Sequence, residues 1–417
     1  MSAPATDDST RSLLLMLLAT ASPTGSERAL AEQIAEWAVD RGIRGRLDTG
    51  AGDSASVVLT VPGTDHTAPS VLLYAPIDTL CGTPDPDHAP WFGTREMRAQ
   101  WSHPRENQGW ILGEGAENPK GYAAAALGAA IDIARSRRNA GDVRIALCGG
   151  SVPSLGDGES PVFGLGSGIL RLLQRGLSAD AALACKPGWF VSHEEAGIIW
   201  FRLTLTTLGS YVGFRHSAPY RNVIPIAGRL AGGLDEWLEE YAATEHSGTV
   251  APQGAVSGIR AGVPELGAFV GETCELRIDV RVGPQRTVAA VDRQVREVVG
   301  DLLADEAVGW HLETIATLPP STTPEHSPIM EAARNAWAEL EDAPANRPEA
   351  LSGASDANLL RSWGIPTARV GMPRSPLPQY VENDPFGMNA VNVADCHRLR
   401  RFLETTVSHF GQLREKR

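Results

Sequence analysis

Read for its alternation of apolar and polar positions, the chain contains stretches of several kinds. Residues 57–61, 71–74 and 143–147 are almost wholly apolar, as strands covered on both faces require. The run SVLLYAPID, residues 70–78, is the sharpest of these, because it stops abruptly at Pro76 and Asp78. In open α/β sheets sites are built at the carboxyl ends of such strands, so Asp78 stands where chemistry is expected. Helical spacing predicts an amphipathic first helix near residues 13–19 and a second from Ser26 to about Asp40, with Ser26 as its cap and Glu27 in its first turn. An Ala-rich, closely packed helix is predicted over residues 121–137 and a last one over 395–412.

From about residue 194 the pattern changes. Residues 198–206 and 273–282 alternate as half-exposed strands, 223–241 and 288–303 repeat at helical spacing, and a strand returns near 310–316. That order suggests a small α+β module of ferredoxin type. The expected division is residues 1–193, an inserted 194–317, and a return to the first domain over 318–417. A length of 417 residues is itself long for one domain. Residues 79–108 are broken by prolines and read as a rim loop in which Asp85, Asp87 and His88 lack the spacing to converge on a metal. The turn Gly164-Leu165-Gly166-Ser167 is a tight turn rather than a phosphate cradle, for it lacks a nucleotide-binding pattern.

A net charge of −13 argues against non-specific nucleic-acid binding and against anionic membranes. The first apolar run is too short for a membrane span. Five cysteines without a close pair suggest a reducing compartment, hence the cytoplasm. Lysine is rare: only Lys120, Lys186 and Lys416 stand against thirty-four arginines.

Together with residues 70–78, the stretches LGEGAENPKGYAAAALGAA (112–130), GSYVGFRHSAPYRNVIPIAG (209–228) and GASDANLLRSWGIPTARVG (353–371) resemble the M20 metallopeptidase family. That family includes aminoacylases, carboxypeptidases, deacylases and carbamoyl-amidohydrolases. The resemblance implies an α/β fold, in which a mixed-sheet catalytic-type domain with helices on both faces carries an inserted α+β, ferredoxin-like lid that also makes a homodimer. It also implies a dinuclear zinc site, and here the motifs depart from the family. The first zinc-ligand His becomes Pro76, although Asp78 is kept. The bridging aspartate becomes Asn118, ahead of Lys120 and Gly121. The Glu-Glu pair falls on Ser160 and Pro161, with Glu159 one residue away and able to stand for the catalytic glutamate. The fourth ligand falls on or beside Lys186, and the last becomes Phe386, before Asn389. Zinc requires deprotonated N, O or S donors, which proline, phenylalanine and lysinium do not supply. The expectation is therefore an M20-type fold with no metal and no other cofactor.

The expected catalytic set is Asp78, Lys186, His216 and Glu159, with Lys186 placing a fixed positive charge where the metal would lie. The resemblance makes His216 a lid group for the substrate carbonyl. It makes Asn118, Lys120, Asn222, Arg281, Gly353, Ser355 and Asn389 candidates for holding a small amide- or carboxylate-bearing substrate, although Arg281 could equally pair with Asp279 on the strand surface. As candidate nucleophiles, Cys81 and Ser160 have no evident partner in sequence. Three readings stand open. One is a metal-independent enzyme acting at an amide or related carbonyl, by hydrolysis or by condensation, cyclisation or decarboxylation. Another is an inactive pseudopeptidase that binds a small molecule or a partner. The third is a conventional metal site or one rebuilt from His88, His103, His193 or Glu194-Glu195.

Overall fold

The computed structural model describes residues 8–80, 101, 103–152, 164–246, 248–381 and 387–412. The chain folds as two compact units. The larger takes in residues up to 193, 323–348 and those from 355 onward; the smaller comprises 194–322 and 349–354.

The larger unit is built on a mixed sheet. Its strands run from edge to edge as Arg44–Thr49, Ala55–Val61, Val143–Cys148, Val71–Pro76, Ala181–Cys185, Thr367–Val370 and Val191–Ser192. The inner strands Val143–Cys148, Val71–Pro76, Ala181–Cys185 and Thr367–Val370 are parallel, so their carboxyl ends emerge along one edge. Val71–Pro76 is buried at every position because both of its faces are covered. Val71, Leu73 and Ala75 enter the main core, whereas Leu72 and Tyr74 point the other way, into a cluster with Ile169, Leu172 and Leu360. Helix Lys120–Ser136 packs in the main core and ends where Arg137 turns left-handed at φ 50°. Its small residues permit the close approach of Arg400: a Cβ on Gly128 would lie 2.6 Å from the Arg400 side chain, which forks onto Asp132. Cys148, Cys185 and Cys396 are buried thiols of this unit.

Helix Arg28–Val39 begins one position later than the sequence suggests. Its cap position is Glu27 rather than Ser26, and Glu27 makes no side-chain bond to the helix. The reason is tertiary: the glutamate turns inward to meet backbone N–H groups of other segments.

The smaller unit is a four-stranded antiparallel sheet in the order Gly254–Ala261, Thr273–Val282, Gly197–Thr206, Gly309–Leu318, with helices Val223–Thr244 and Val288–Leu302. The connection is β-α-β-β-α-β, the ferredoxin-like path. Strand Thr273–Val282 alternates strictly, burying Cys274, Leu276, Ile278, Val280 and Val282 against Leu230, Leu234 and Leu238 of one helix and Val291, Val295 and Val299 of the other. The edge strand Gly254–Ala261 is not evident in sequence. It holds two glycines, and its pairing shifts register between Val256 and Gly258, which breaks the two-residue period. Among the described residues, no helix is long and apolar enough to cross a membrane.

Candidate functional site

The parallel strand ends of the larger unit gather four ionisable side chains. Asp78 is 1 % exposed. Its Oδ1 accepts the Ser151 N–H at 3.0 Å, and its Oδ2 accepts the Val152 N–H at 2.8 Å and the Thr24 hydroxyl at 2.9 Å. Burial nevertheless raises its carboxyl above the ordinary carboxylate range, against the pull of those three donors. Glu27 is fully buried beside it. Its Oε1 accepts the N–H groups of Gly25 at 2.7 Å and Gly150 at 3.1 Å. Burial raises this carboxyl too, and the neighbouring Asp78 charge adds to the effect.

Lys186 follows strand Ala181–Cys185, and its backbone N–H is tied to the Val370 carbonyl at 2.9 Å. Gly371 allows the two strand ends to close up, because a Cβ there would lie 2.4 Å from the Lys186 carbonyl oxygen. The Lys186 ammonium donates to Ser151 Oγ at 2.6 Å and stands 4.0 Å from Asp356 Oδ2. Asp356 also bonds the Tyr74 hydroxyl, and Gly166, left-handed at φ 79°, lets the Gly164–Ser167 turn close over it. Burial holds the Asp356 carboxyl well above its usual range despite the nearby ammonium. Two unit charges 4 Å apart attract by about 4 kcal/mol at an effective dielectric of ~20, whereas desolvation costs several kcal/mol per ion. The attraction therefore offsets only part of the cost of burying both charges.

The other expected residues of this unit have partners of their own. Asn389 Oδ1 accepts the Gly115 N–H at 2.9 Å, and the Asn118 amide reaches Met388 Sδ at 3.6 Å. This loop backs onto the residue after Asp78, since a Cβ on Gly115 would lie 2.8 Å from Thr79 Cγ2. Lys120 is held separately. It is 1 % exposed, its ammonium donates to the Thr20 carbonyl at 2.8 Å, and burial lowers its pKa to about 8. Ser355 is buried next to Asp356, where its hydroxyl accepts the Ala357 N–H at 3.3 Å.

In the smaller unit, His216 lies on an exposed turn. Asn222 caps helix Val223–Thr244 by accepting the Ile224 N–H at 3.0 Å, and Arg281 forks onto Asp279 with both contacts at 2.8 Å. Gly353 is exposed. Glu194 is engaged by the backbone and hydroxyl of Thr249. Glu159, Ser160, Pro161, Phe386, Cys81, Asp85, Asp87 and His88 lie outside the described residues. Among the described residues no three His, Cys, Asp or Glu side chains come together as a group that could hold a metal ion.

Sequence reasoning missed Glu27, Tyr74, Ser151 and Asp356. The one legible signal was Asp356, which lies inside the 353–371 stretch.

A mixed sheet with parallel inner strands, together with a ferredoxin-like unit inserted in the same chain, is the architecture of the M20 peptidases. No protein-family model matches the sequence. Among solved structures, the chain is similar to an M20 family metallo-carboxypeptidase from Sulfolobus solfataricus at 14 % identity and a TM-score of 0.71, covering 97 % of this chain and 99 % of that one. It is similar to a tripeptidase from Staphylococcus aureus at 13 % identity and a TM-score of 0.70, covering 98 % and 99 %. It is likewise similar to human carnosine dipeptidase 1 at 12 % identity and a TM-score of 0.69, covering 97 % and 96 %. At these identities the likeness establishes the fold.

Proposed function

We infer that the protein is a metal-independent enzyme acting at an amide or related carbonyl of a small substrate. The amide class comes from the peptidases that share its fold. The observation that carries the reading is the Lys186 ammonium at the strand ends, between Ser151 and the buried Asp356. Metal independence is supported by the donor chemistry: the Pro76 side chain has no donor atom, and Lys186 offers an ammonium that donates to Ser151. A lysine cannot polarise water as a bound divalent ion does, so the reading gives Lys186 a different task, namely to supply positive charge and exchange protons. Buried carboxyls with raised affinity for protons, beside a cation at strand ends, are the arrangement expected of acid–base chemistry.

The reading includes a homodimer made through the smaller unit. Tyr211, Val212, Phe214 and Phe269 are exposed, and the Tyr211 ring lies 5.4 Å from Phe214 and 5.5 Å from Phe269. Ile259 and Val263 add further exposed apolar surface at and just beyond the edge strand Gly254–Ala261. An unpaired strand edge with apolar neighbours suits a second copy related by two-fold symmetry.

The test is elemental analysis of protein purified without chelator, followed by assay on a panel of N-acyl amino acids and dipeptides with and without EDTA. Turnover that survives EDTA in metal-free protein is the expected result. Two equivalents of zinc or manganese, with activity lost on their removal, would sink the reading.

A further inference from the structure

We propose that Ser151 is a nucleophile and Lys186 its general base, so that the acyl group passes through an ester on the Ser151 hydroxyl. This rests on the metal-independent reading above and names the atom that would form the covalent bond. The Lys186 Nζ to Ser151 Oγ distance of 2.6 Å is the hydrogen-bond contact that a nucleophile and its base require.

The serine is also fixed in place. The Gly149 N–H donates to Ser56 Oγ at 3.2 Å, and the Gly150, Ser151 and Val152 N–H groups go to Glu27 and Asp78. On the acceptor side, the Gly150 carbonyl receives the Gly166 and Ser167 N–H groups at 2.8 and 3.1 Å, and the Val152 carbonyl receives Leu165 at 3.2 Å. A nucleophile held on so constrained a backbone is oriented before substrate arrives. This gives Glu27 and Asp78 a purpose: they are positioning residues whose buried oxygens hold the serine segment.

Lys186 acts as the base in its amine form, and Asp356, 4.0 Å from its nitrogen, is the acid facing it. As the Ser151 oxygen bonds to the amide carbon, its proton moves to Lys186 Nζ. When the C–N bond breaks, that proton departs with the amine, leaving acyl-Ser151. Water then adds to the ester carbon and gives its proton to Lys186. The Ser151 oxygen takes that proton back as the carboxylic acid leaves, and water is the only co-reactant.

The test treats the full chain with a fluorophosphonate and maps the adduct by intact-mass and peptide mass spectrometry. One adduct per chain at Ser151 is expected, with the labelling rate reduced about 100-fold or more in Lys186→Met. Absence of an adduct, or an adduct elsewhere, overturns the proposal. If Ser151→Ala fails to fold, Ser151→Cys replaces it. Iodoacetamide should then modify position 151 ahead of the buried Cys148 and Cys185, and modification in the reverse order overturns the proposal. The two readings separate cleanly. A folded Ser151→Ala that keeps full EDTA-resistant turnover sinks the nucleophile alone, whereas an adduct at Ser151 in a protein that needs metal for turnover upholds the nucleophile and sinks metal independence.

Discussion

Two regions, one in each unit, treat charge in opposite ways. At the strand ends of the larger one, Glu27, Asp78 and Asp356 are buried with their proton affinities raised, and Lys186 is the cation among them. On the sheet of the smaller one and the helix packed on it, several charges lie nearer the surface in neighbouring pairs: Arg202–Glu313 at 2.7 Å, Arg281–Asp279 at 2.8 Å and Arg296–Asp292 at 2.8 Å. Such pairs contribute about 0–1 kcal/mol each and ask nothing of the core. The smaller unit also leaves the rings of Tyr211, Phe214 and Phe269 open to water. Buried carboxyls that packing does not require point to chemistry in the first region, and uncovered rings point to association in the second.

The contrast can be broken most forcefully at Lys186. Lys186→Met should lower turnover by about two to three orders of magnitude in steady-state assays with EDTA, while the thermal transition stays cooperative. If turnover is unchanged, the larger unit loses its claim to chemistry. The double variant Phe214→Asp with Phe269→Asp should convert dimer to monomer in sedimentation velocity and leave the melting temperature within a few degrees, because both rings are already exposed in one chain.

Asp356→Asn sharpens the comparison by reading strain directly. A carboxyl whose folded pKa is raised above its ordinary value of 3.8 loses its proton first in the unfolded chain, so it withdraws stability as pH rises through that window. The amide removes this loss and can still accept from Tyr74. The melting temperature of the variant relative to the native protein should therefore climb between pH 4 and 8, and a flat difference would remove the assigned strain.

The smallest effect is expected at Lys120. Its folded pKa of about 8 lies below the ordinary 10.5, so the unfolded chain binds more protons between those values and native stability rises with pH there. Buried thiols such as Cys185, pushed up to about 12, act in the opposite sense. The lysine contribution is therefore read as the difference between native protein and Lys120→Met. That difference should move in favour of the native chain from pH 8 to 10.5.

Much of the fold was legible because it follows periodicity. The run ending at Asp78 is a fully buried strand, and the alternation over 273–282 is a one-faced strand with those same bounds. The site was less legible, because its members acquire their character from tertiary contacts. Glu27 reads as an ordinary first-turn acid, yet it turns inward to the Gly25 and Gly150 amides. Ser151 follows two glycines, and no local pattern announces that Lys186, thirty-five positions on, will reach it. Tyr74 looks like one more apolar position of its strand, although its hydroxyl meets Asp356 across 282 positions of sequence.

The segment from Gly149 to Val152 has one more consequence. With its amides committed to Ser56, Glu27 and Asp78, it has no local route to opening, so hydrogen–deuterium exchange there should follow unfolding of the whole sheet.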